Sequence, residues 1–266
     1  LFPGEYMAFE LLVAVLFVGG TITLTLIAYF LMRLITGGDP DGQERDLASS
    51  IIFRVSALHG LILALVFAQE MIDYQQLRNE TATESNAIAD IYFDAGRYGG
   101  GHAGAIQTPL SEYISVVVDK EWAILGATDR LTPEAWAKWD AAYAAVLDLE
   151  PTNKREESLR NHMLERLYTV AESRTKRESN VADSMSGIFW FAALSGVVFI
   201  ALAYYSYPPQ RRNIVLISMF GAYTGIILFL IYAFSNPYSP PAAMSPGPLL
   251  RLQEQIRHSI SQPPQT

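Results

Sequence analysis

LLVAVLFVGGTITLTLIAYFLM, residues Leu11 to Met32, runs for 22 positions without a charge or a proline. A hydrocarbon core of roughly 30 Å takes about 20 apolar helical residues, so this stretch alone predicts a membrane span. Three further apolar stretches follow, Val55–Gln69, Ser184–Gln210 and Asn213–Phe234. The four fall into two pairs separated by a polar insertion, residues 69–186. The expected fold class is therefore an all-α membrane protein: four transmembrane helices in two pairs, with an elongated extramembrane helical bundle between spans two and three.

Charge follows the same division. The insertion holds 20 acidic and 12 basic side chains against 7 and 7 elsewhere, so the whole net charge of −8 sits in it. The absence of cysteine excludes disulfides and thiolate metal sites. The first apolar stretch is longer than a signal-peptide core and carries neither a basic leader nor a small-residue cleavage site, so it reads as a retained span. Arg33 and Arg45 follow span one, and Arg211 and Arg212 lie between spans three and four. The positive-inside rule then puts those short loops in the cytoplasm and the bundle and termini outside, periplasmic for a bacterial inner membrane.

Breakers divide the chain at finer grain. Gly37-Gly38-Asp39-Pro40-Asp41-Gly42 predicts a hairpin loop. Between Leu47 and about Ala95 there is no proline and only Gly60, so span two extends as a helix of some 50 residues. Gly96 and Gly99–Gly101 end it. Thr108-Pro109 predicts a helix over 109–125, and Thr132-Pro133-Glu134 another over 133–149. From about Asn153 a fourth polar helix, with Leu159, Met163, Leu167 and Val170 on one face, is expected to continue into span three. Asn236 to Pro241 reads as an extended connector, Pro248–Ile260 as a short amphipathic helix and Gln262–Thr266 as a frayed end. The domain plan is thus 1–68 for spans one and two, 69–186 for the bundle, 187–235 for spans three and four, and 236–266 for the tail.

Span two carries the candidate functional residues. Ionisable groups are costly in lipid and face a bundle interior or water. His59, Leu63, Phe67 (or Val66) and Glu70 recur at steps of three and four on one face, and Asp73 follows. In an oligomer Leu63 and Phe67 would form a hydrophobic gate, with Glu70 and Asp73 as a carboxylate ring at its mouth. Arg54 is the interface anchor of this span. The competing reading makes His59, Leu63 and Phe67 ordinary packing residues between spans. Enzyme chemistry finds little support: the histidines His59, His102, His162 and His258 form neither HExxH nor the ExxH spacing of di-iron bundles, and Gly99–Gly101 lacks a phosphate-loop context. No enzyme activity, cofactor, metal or nucleic acid is expected. Glu156, Glu157, Glu165 and Glu172 read as a solvated face.

Phe67 to Trp122, with Gln69-Glu70-Met71, Arg78, Glu84-Ser85-Asn86-Ala87-Ile88, Leu110, Tyr113 and Val117, resembles the bacterial bestrophin-like domain family of four-span proteins. The ending Asn236-Pro237-Tyr238 through Met244-Ser245-Pro246-Gly247-Pro248-Leu249 resembles that family's tail. The resemblance implies a homo-oligomer, a pentamer by analogy with bestrophins, in which membrane lipid surrounds an ion channel lined by the second span. Glu84, Asn86, Asn236 and Pro237 are the family-motif residues. Two departures stand out. No carboxylate run longer than Glu156-Glu157 matches the acidic calcium clasp of animal bestrophins, and Asn236 stands where many bestrophin-like members have Asp. The outward bundle is also opposite to bestrophins, whose large domain is cytosolic. The acidic insertion favours cations as the permeant ions. The alternative function is a membrane-anchored scaffold whose bundle docks a partner; a helical sensor would in addition need an output domain, and none is evident.

Overall fold

The computed structural model describes residues 3–37, 41–99, 101–128, 130–182 and 187–261. They are helical almost throughout: α1 (Pro3–Thr36), α2 (Gly42–Tyr98), α3 (Ala103–Val116), a π-helical turn (Val117–Glu121), α4 (Trp122–Thr128), α5 (Pro133–Leu147), α6 (Lys154–Ala182), α7 (Gly187–Ala203), a 3₁₀ turn (Tyr204–Ser206), α8 (Arg211–Ser235) and α9 (Gly247–Ser261). No strand occurs among the described residues. Four helices are long and apolar enough to cross a membrane, within Ala8–Thr36, Gly42–Tyr98, Gly187–Ser206 and Arg211–Ser235. The chain forms two compact units, residues 1–72 with 185–235, and residues 73–184 with 236–266.

In the first unit α1 packs most extensively against α8, and closely. Gly221 and Gly225, one turn apart on α8, allow it. A Cβ on Gly225 would lie 2.8 Å from Val18 Cα and 2.9 Å from the Phe17 carbonyl oxygen, and one on Gly221 3.0 Å from Ile22 Cα. Small residues at four-residue spacing let helix backbones meet without the hydrophobic effect, which lipid does not supply. Facing them, Thr21 and Thr25 are buried on α1 and give their hydroxyl protons to carbonyls of their own helix, Phe17 at 2.8 Å and Thr21 at 2.7 Å. The end of α1 is fastened to the turn after α7. The Tyr29 hydroxyl donates to the Tyr207 carbonyl at 2.8 Å, and Arg33 donates to the carbonyls of Tyr205 (2.9 Å) and Tyr207 (3.1 Å). Besides being a loop charge, Arg33 thus neutralises backbone acceptors at a helix C-terminus.

The second unit has a larger core. Leu77, Ile88 and Ile91 of α2, Ile106, Leu110 and Ile114 of α3, Met163, Leu167 and Val170 of α6, and Leu249, Leu252 and Ile256 of α9 are all buried in it. Each such side chain contributes about 1.5–3 kcal/mol by leaving water. Local signals set most of the helix starts. Asp41 accepts the Glu44 amide at 2.8 Å and caps α2. At α6, Asn153 Oδ1 accepts the Glu156 amide at 3.0 Å. The Glu156 carboxylate reaches back to the Thr152 amide and hydroxyl and to Asn153 Nδ2, a reciprocal capping box. Those bonds, the Thr152 amide first, hold the Glu156 carboxyl below its ordinary pKa.

Several boundaries differ from the sequence reading. The helix expected over 109–125 begins at Ala103, and Pro109 lies inside α3. Ile106 and Leu110 sit on one buried face, and that burial outweighs the hydrogen bond that a mid-helix proline removes. The connector from Asn236 to Pro241 is not extended. Asn236 Oδ1 accepts the Tyr238 amide (3.2 Å), its carbonyl accepts the Ser239 amide (3.2 Å), and the Met244 amide closes back onto the Pro237 carbonyl (2.7 Å), so the prolines sit in a folded turn. Gly37, Gly99 and Gly101 take the left-handed conformation, with φ of 71°, 81° and 80°. Residues 38–40 of the hairpin loop, the passage from α6 into span three at residues 183–186, and the end from Gln262 lie outside the described residues.

Candidate functional site

On α2 the face expected from sequence is traceable residue by residue. His59 and Leu63 are buried, at 6% and 5% exposure, and Phe67 and Glu70 are partly buried. Leu63 packs with Ala193 of α7 and with Leu228 and Ile231 of α8, with Phe67 at the margin of the same cluster. Phe67 meets Phe234 edge to face, ring centroids 6.1 Å apart. The His59 ring sits against Gly196 of α7, where a Cβ would run into the imidazole, and its Nε2 has no hydrogen-bond partner among the described residues. Arg54 is exposed. So is Asp73, in the part of α2 belonging to the second unit. Within one chain, then, the His59–Leu63 face is turned toward α7 and α8. The neighbouring face is open: Phe53, Leu58, Leu61 and Leu65 are exposed at 77%, 63%, 56% and 63%.

A second constellation, in the second unit, escaped the sequence reading apart from Glu84. Glu84, Glu121, Arg174 and Arg177 are all at or below 1% exposure. Arg174 grips Glu121 through both guanidinium nitrogens, at 2.8 Å and 2.5 Å, a bidentate pair. Arg177 donates to Glu84 Oε1 at 3.0 Å and lies 3.6 Å from Glu121. The Tyr113 hydroxyl gives a 2.5 Å hydrogen bond to the same Glu84 oxygen. Thr132 donates both its amide (2.9 Å) and its hydroxyl (2.7 Å) to Glu121, while its carbonyl accepts from Arg174 at 3.0 Å. The threonine of the Thr-Pro helix start therefore makes no cap hydrogen bond; its side chain serves the buried carboxylate.

Aromatic faces complete the shell, with Arg174 4.8 Å from the Trp136 ring and Arg177 5.5 Å from that of Trp122. Burial first, then the Glu84 charge, raises the Tyr113 pKa above its usual 10; burial likewise raises that of Tyr238. Burial alone would lower the Arg177 pKa, but Glu84 foremost reverses this and keeps the guanidinium charged. Two carboxylates and two guanidinium groups cancel in charge. The chemistry of the set is that of a pin joining α2, α3, the π-helical turn, the start of α5 and α6. Isolated buried charges would cost several kcal/mol each, which pairing and hydrogen bonding offset.

The signal for this centre was present as an interruption. On α6 the buried stripe Met163, Leu167, Val170 continues at the same steps into Arg174 and Arg177; on α2 the stripe Leu77, Thr81, Ile88, Ile91, Ala95 passes through Glu84. A charge at a core position of an otherwise apolar stripe requires a partner. Glu121 lies in the π-helical turn, a geometry often found at functional sites. Of the other motif residues, Asn86 is exposed, Pro237 is buried, and Asn236 forms the turn described above. Ser85 donates to the Pro248 carbonyl at 3.0 Å, and Trp122 Nε1 to the Met244 carbonyl at 2.7 Å. The two segments carrying the family resemblance thus touch each other.

Among the described residues no three His, Asp or Glu side chains gather as a metal site. Among curated proteins and solved structures there is no match to this chain. The bestrophin-like domain model does match, over residues 19–249, a span that takes in α2, the buried ion-pair centre and the folded turn before α9. With most of its length covered by that match and four helices apolar enough to cross a bilayer, the chain is a membrane protein of the bestrophin-like domain family.

Proposed function

We propose that the chain assembles into a homo-oligomeric channel, a pentamer by analogy with bestrophins, that passes ions without catalysis through an axial pore lined by α2. The observation that carries this is the character of α2. Arg54 borders its apolar stretch and His59 lies within it, while Phe53, Leu58, Leu61 and Leu65 stay uncovered within one chain. Charged and polar groups bracketing an apolar constriction are what a conducting helix requires. Two faces of α2 compete for the lining. On the face with His59, Leu63, Phe67, Glu70 and Asp73, the first three would have to leave α7 and α8 to reach an axis. The face with Leu58, Ile62 and Leu65 needs no rearrangement and is favoured on that ground. The excess of acidic over basic side chains in the second unit favours cations over anions as the permeant ions. The positive-inside asymmetry supports a bacterial inner membrane with the second unit outside.

Reconstitution into liposomes with asymmetric potassium chloride tests the activity: a reversal potential at the chloride value overturns cation selection, and silence at every voltage overturns the channel. The chain has no native cysteine, so single-cysteine variants report the lining. Modification by a charged thiol reagent should block current in Leu65→Cys and leave Leu63→Cys untouched; the opposite pattern returns the lining to the His59–Leu63 face. On that second outcome Phe67→Ala should raise conductance and Glu70→Gln should alter ion preference.

A further inference from the structure

The second unit is acidic, and many of its bases are matched: Arg97 with Asp94, Lys120 with Glu134, Lys138 with Glu112, Arg166 with Asp90, Lys176 with Glu80 and Glu172. Arg78 of α2 and Arg251 of α9 are not. Neither has an ion-pair or hydrogen-bond partner among the described residues, and both line one cavity of about 660 Å³ whose wall contains no carboxylate. In a unit with excess acid, two unmatched arginines on the wall of one concavity form a local reversal of charge. Gln75, Asn79 and Ser245 add neutral hydrogen-bonding groups to the same wall.

The walls are held in place before any ligand arrives. Ser85 of α2 bonds the Pro248 carbonyl of α9 at 3.0 Å, and Gln253 of α9 bonds Ser115 of α3 at 3.1 Å. Trp122 bonds the Met244 carbonyl at the cavity rim. Gly247 leaves room for the Arg251 guanidinium, whose Nη1 would lie 3.4 Å from a Cβ there. Fixed walls reduce the ordering cost of binding.

We propose that this cavity binds a phosphate group carried on a hydroxyl-rich body, the guanidinium groups of Arg78 and Arg251 taking the phosphate and Gln75, Asn79 and Ser245 the hydroxyls. Guanidinium forks match phosphate oxygens in pairs, and the volume is in the range of small-molecule sites, well above that of a bare oxyanion. A soluble polyol phosphate and the headgroup of a phospholipid share this chemistry. Binding at this cavity does not depend on the pore.

The full chain is tested in two arms. In detergent, thermal unfolding is followed with glycerol 3-phosphate and, separately, with sodium chloride at equal ionic strength. In nanodiscs of phosphatidylcholine with phosphatidylglycerol, mass spectrometry of the released protein detects retained phosphatidylglycerol. Saturable stabilisation beyond that of chloride identifies a soluble phosphate; selective lipid retention identifies a headgroup. In either case Arg78→Gln with Arg251→Gln should weaken binding at least tenfold. Arg78→Lys with Arg251→Lys, which keeps the charge and loses the fork, should give an intermediate loss and serves if the glutamine pair fails to fold. Neither arm responding, or binding unaltered in these variants, overturns the assignment.

Discussion

In the first unit the buried polar atoms are mostly hydroxyls that bond within their own helix, such as Thr21 and Thr25 of α1, and close contact comes from the bare backbone of Gly221 and Gly225. In the second they include full charges, Glu84, Glu121, Arg174 and Arg177, that bond between helices. The difference follows from the solvent each kind of sequence suits. Apolar helices gain little by burying more hydrocarbon, so they associate through shape, and small residues give it. The polar segments already gain from hydrophobic burial, so a charge at a core position survives only with its partner at hand, and that partner fixes which helices meet.

The largest effect should come from breaking the charged pin. Glu121→Ala strands Arg174 in the core and is expected to cost about 3–5 kcal/mol, read as loss of the cooperative thermal transition of the second unit. Glu121→Leu with Arg174→Met should lose less than the single change. An equal loss would mean that packing, not charge, organises the centre. Next comes the first unit's shape. Gly225→Leu places a side chain into the α1 backbone and should destabilise by about 1–3 kcal/mol or more, seen as earlier aggregation in detergent. Gly221→Ala, with its wider clearance, should be milder. A reversed order would remove the glycines from the explanation.

A third, smaller effect depends on pH. The folded state holds the Tyr113 and Tyr238 protons more tightly than the unfolded chain, whose tyrosines titrate near 10. That contribution is complete below pH 10 and is lost as pH rises through the higher folded values. Denaturant midpoints should therefore fall above pH 10. Tyr238→Phe should flatten the fall with little change at pH 7, because the Tyr238 hydroxyl has no hydrogen-bond partner among the described residues. Smallest of the four, Asn153→Ala removes the α6 cap and should cost about 1 kcal/mol by the same measurement. No change would leave the start of α6 set by packing alone.

Much of the fold is legible in the amino-acid sequence itself. The apolar stretches, the α5 start at Pro133 and the α6 stripe rest on local rules and match the helices closely. Pro109 misleads because a proline at the first turn and a proline tolerated deeper in a helix look alike until burial of Ile106 and Leu110 is known. The Gly221–Gly225 pair is legible in its spacing, but its partner on α1 is not. Arg174 and Arg177 look like members of a solvated charged helix. Only the phase of Met163, Leu167 and Val170 reveals that they point inward, and Glu121 and Thr132, their distant partners, have no local signature at all.

The π-helical turn at Val117–Glu121 is the place along this helix where the centre can best tolerate the loss of one residue. A π turn holds one residue more than the α-helix would, and each residue of an α-helix advances the phase by about 100°. Deleting Asp119 would restore a regular α turn and leave Glu121 and Trp122 close to their present phase, whereas deleting a residue within α3 would swing both away from Arg174 and Arg177 by about 100°. Loss of Asp119, which is exposed, should therefore cost far less than loss of a residue such as Ser111 from α3, which should be as damaging as removing the carboxylate itself.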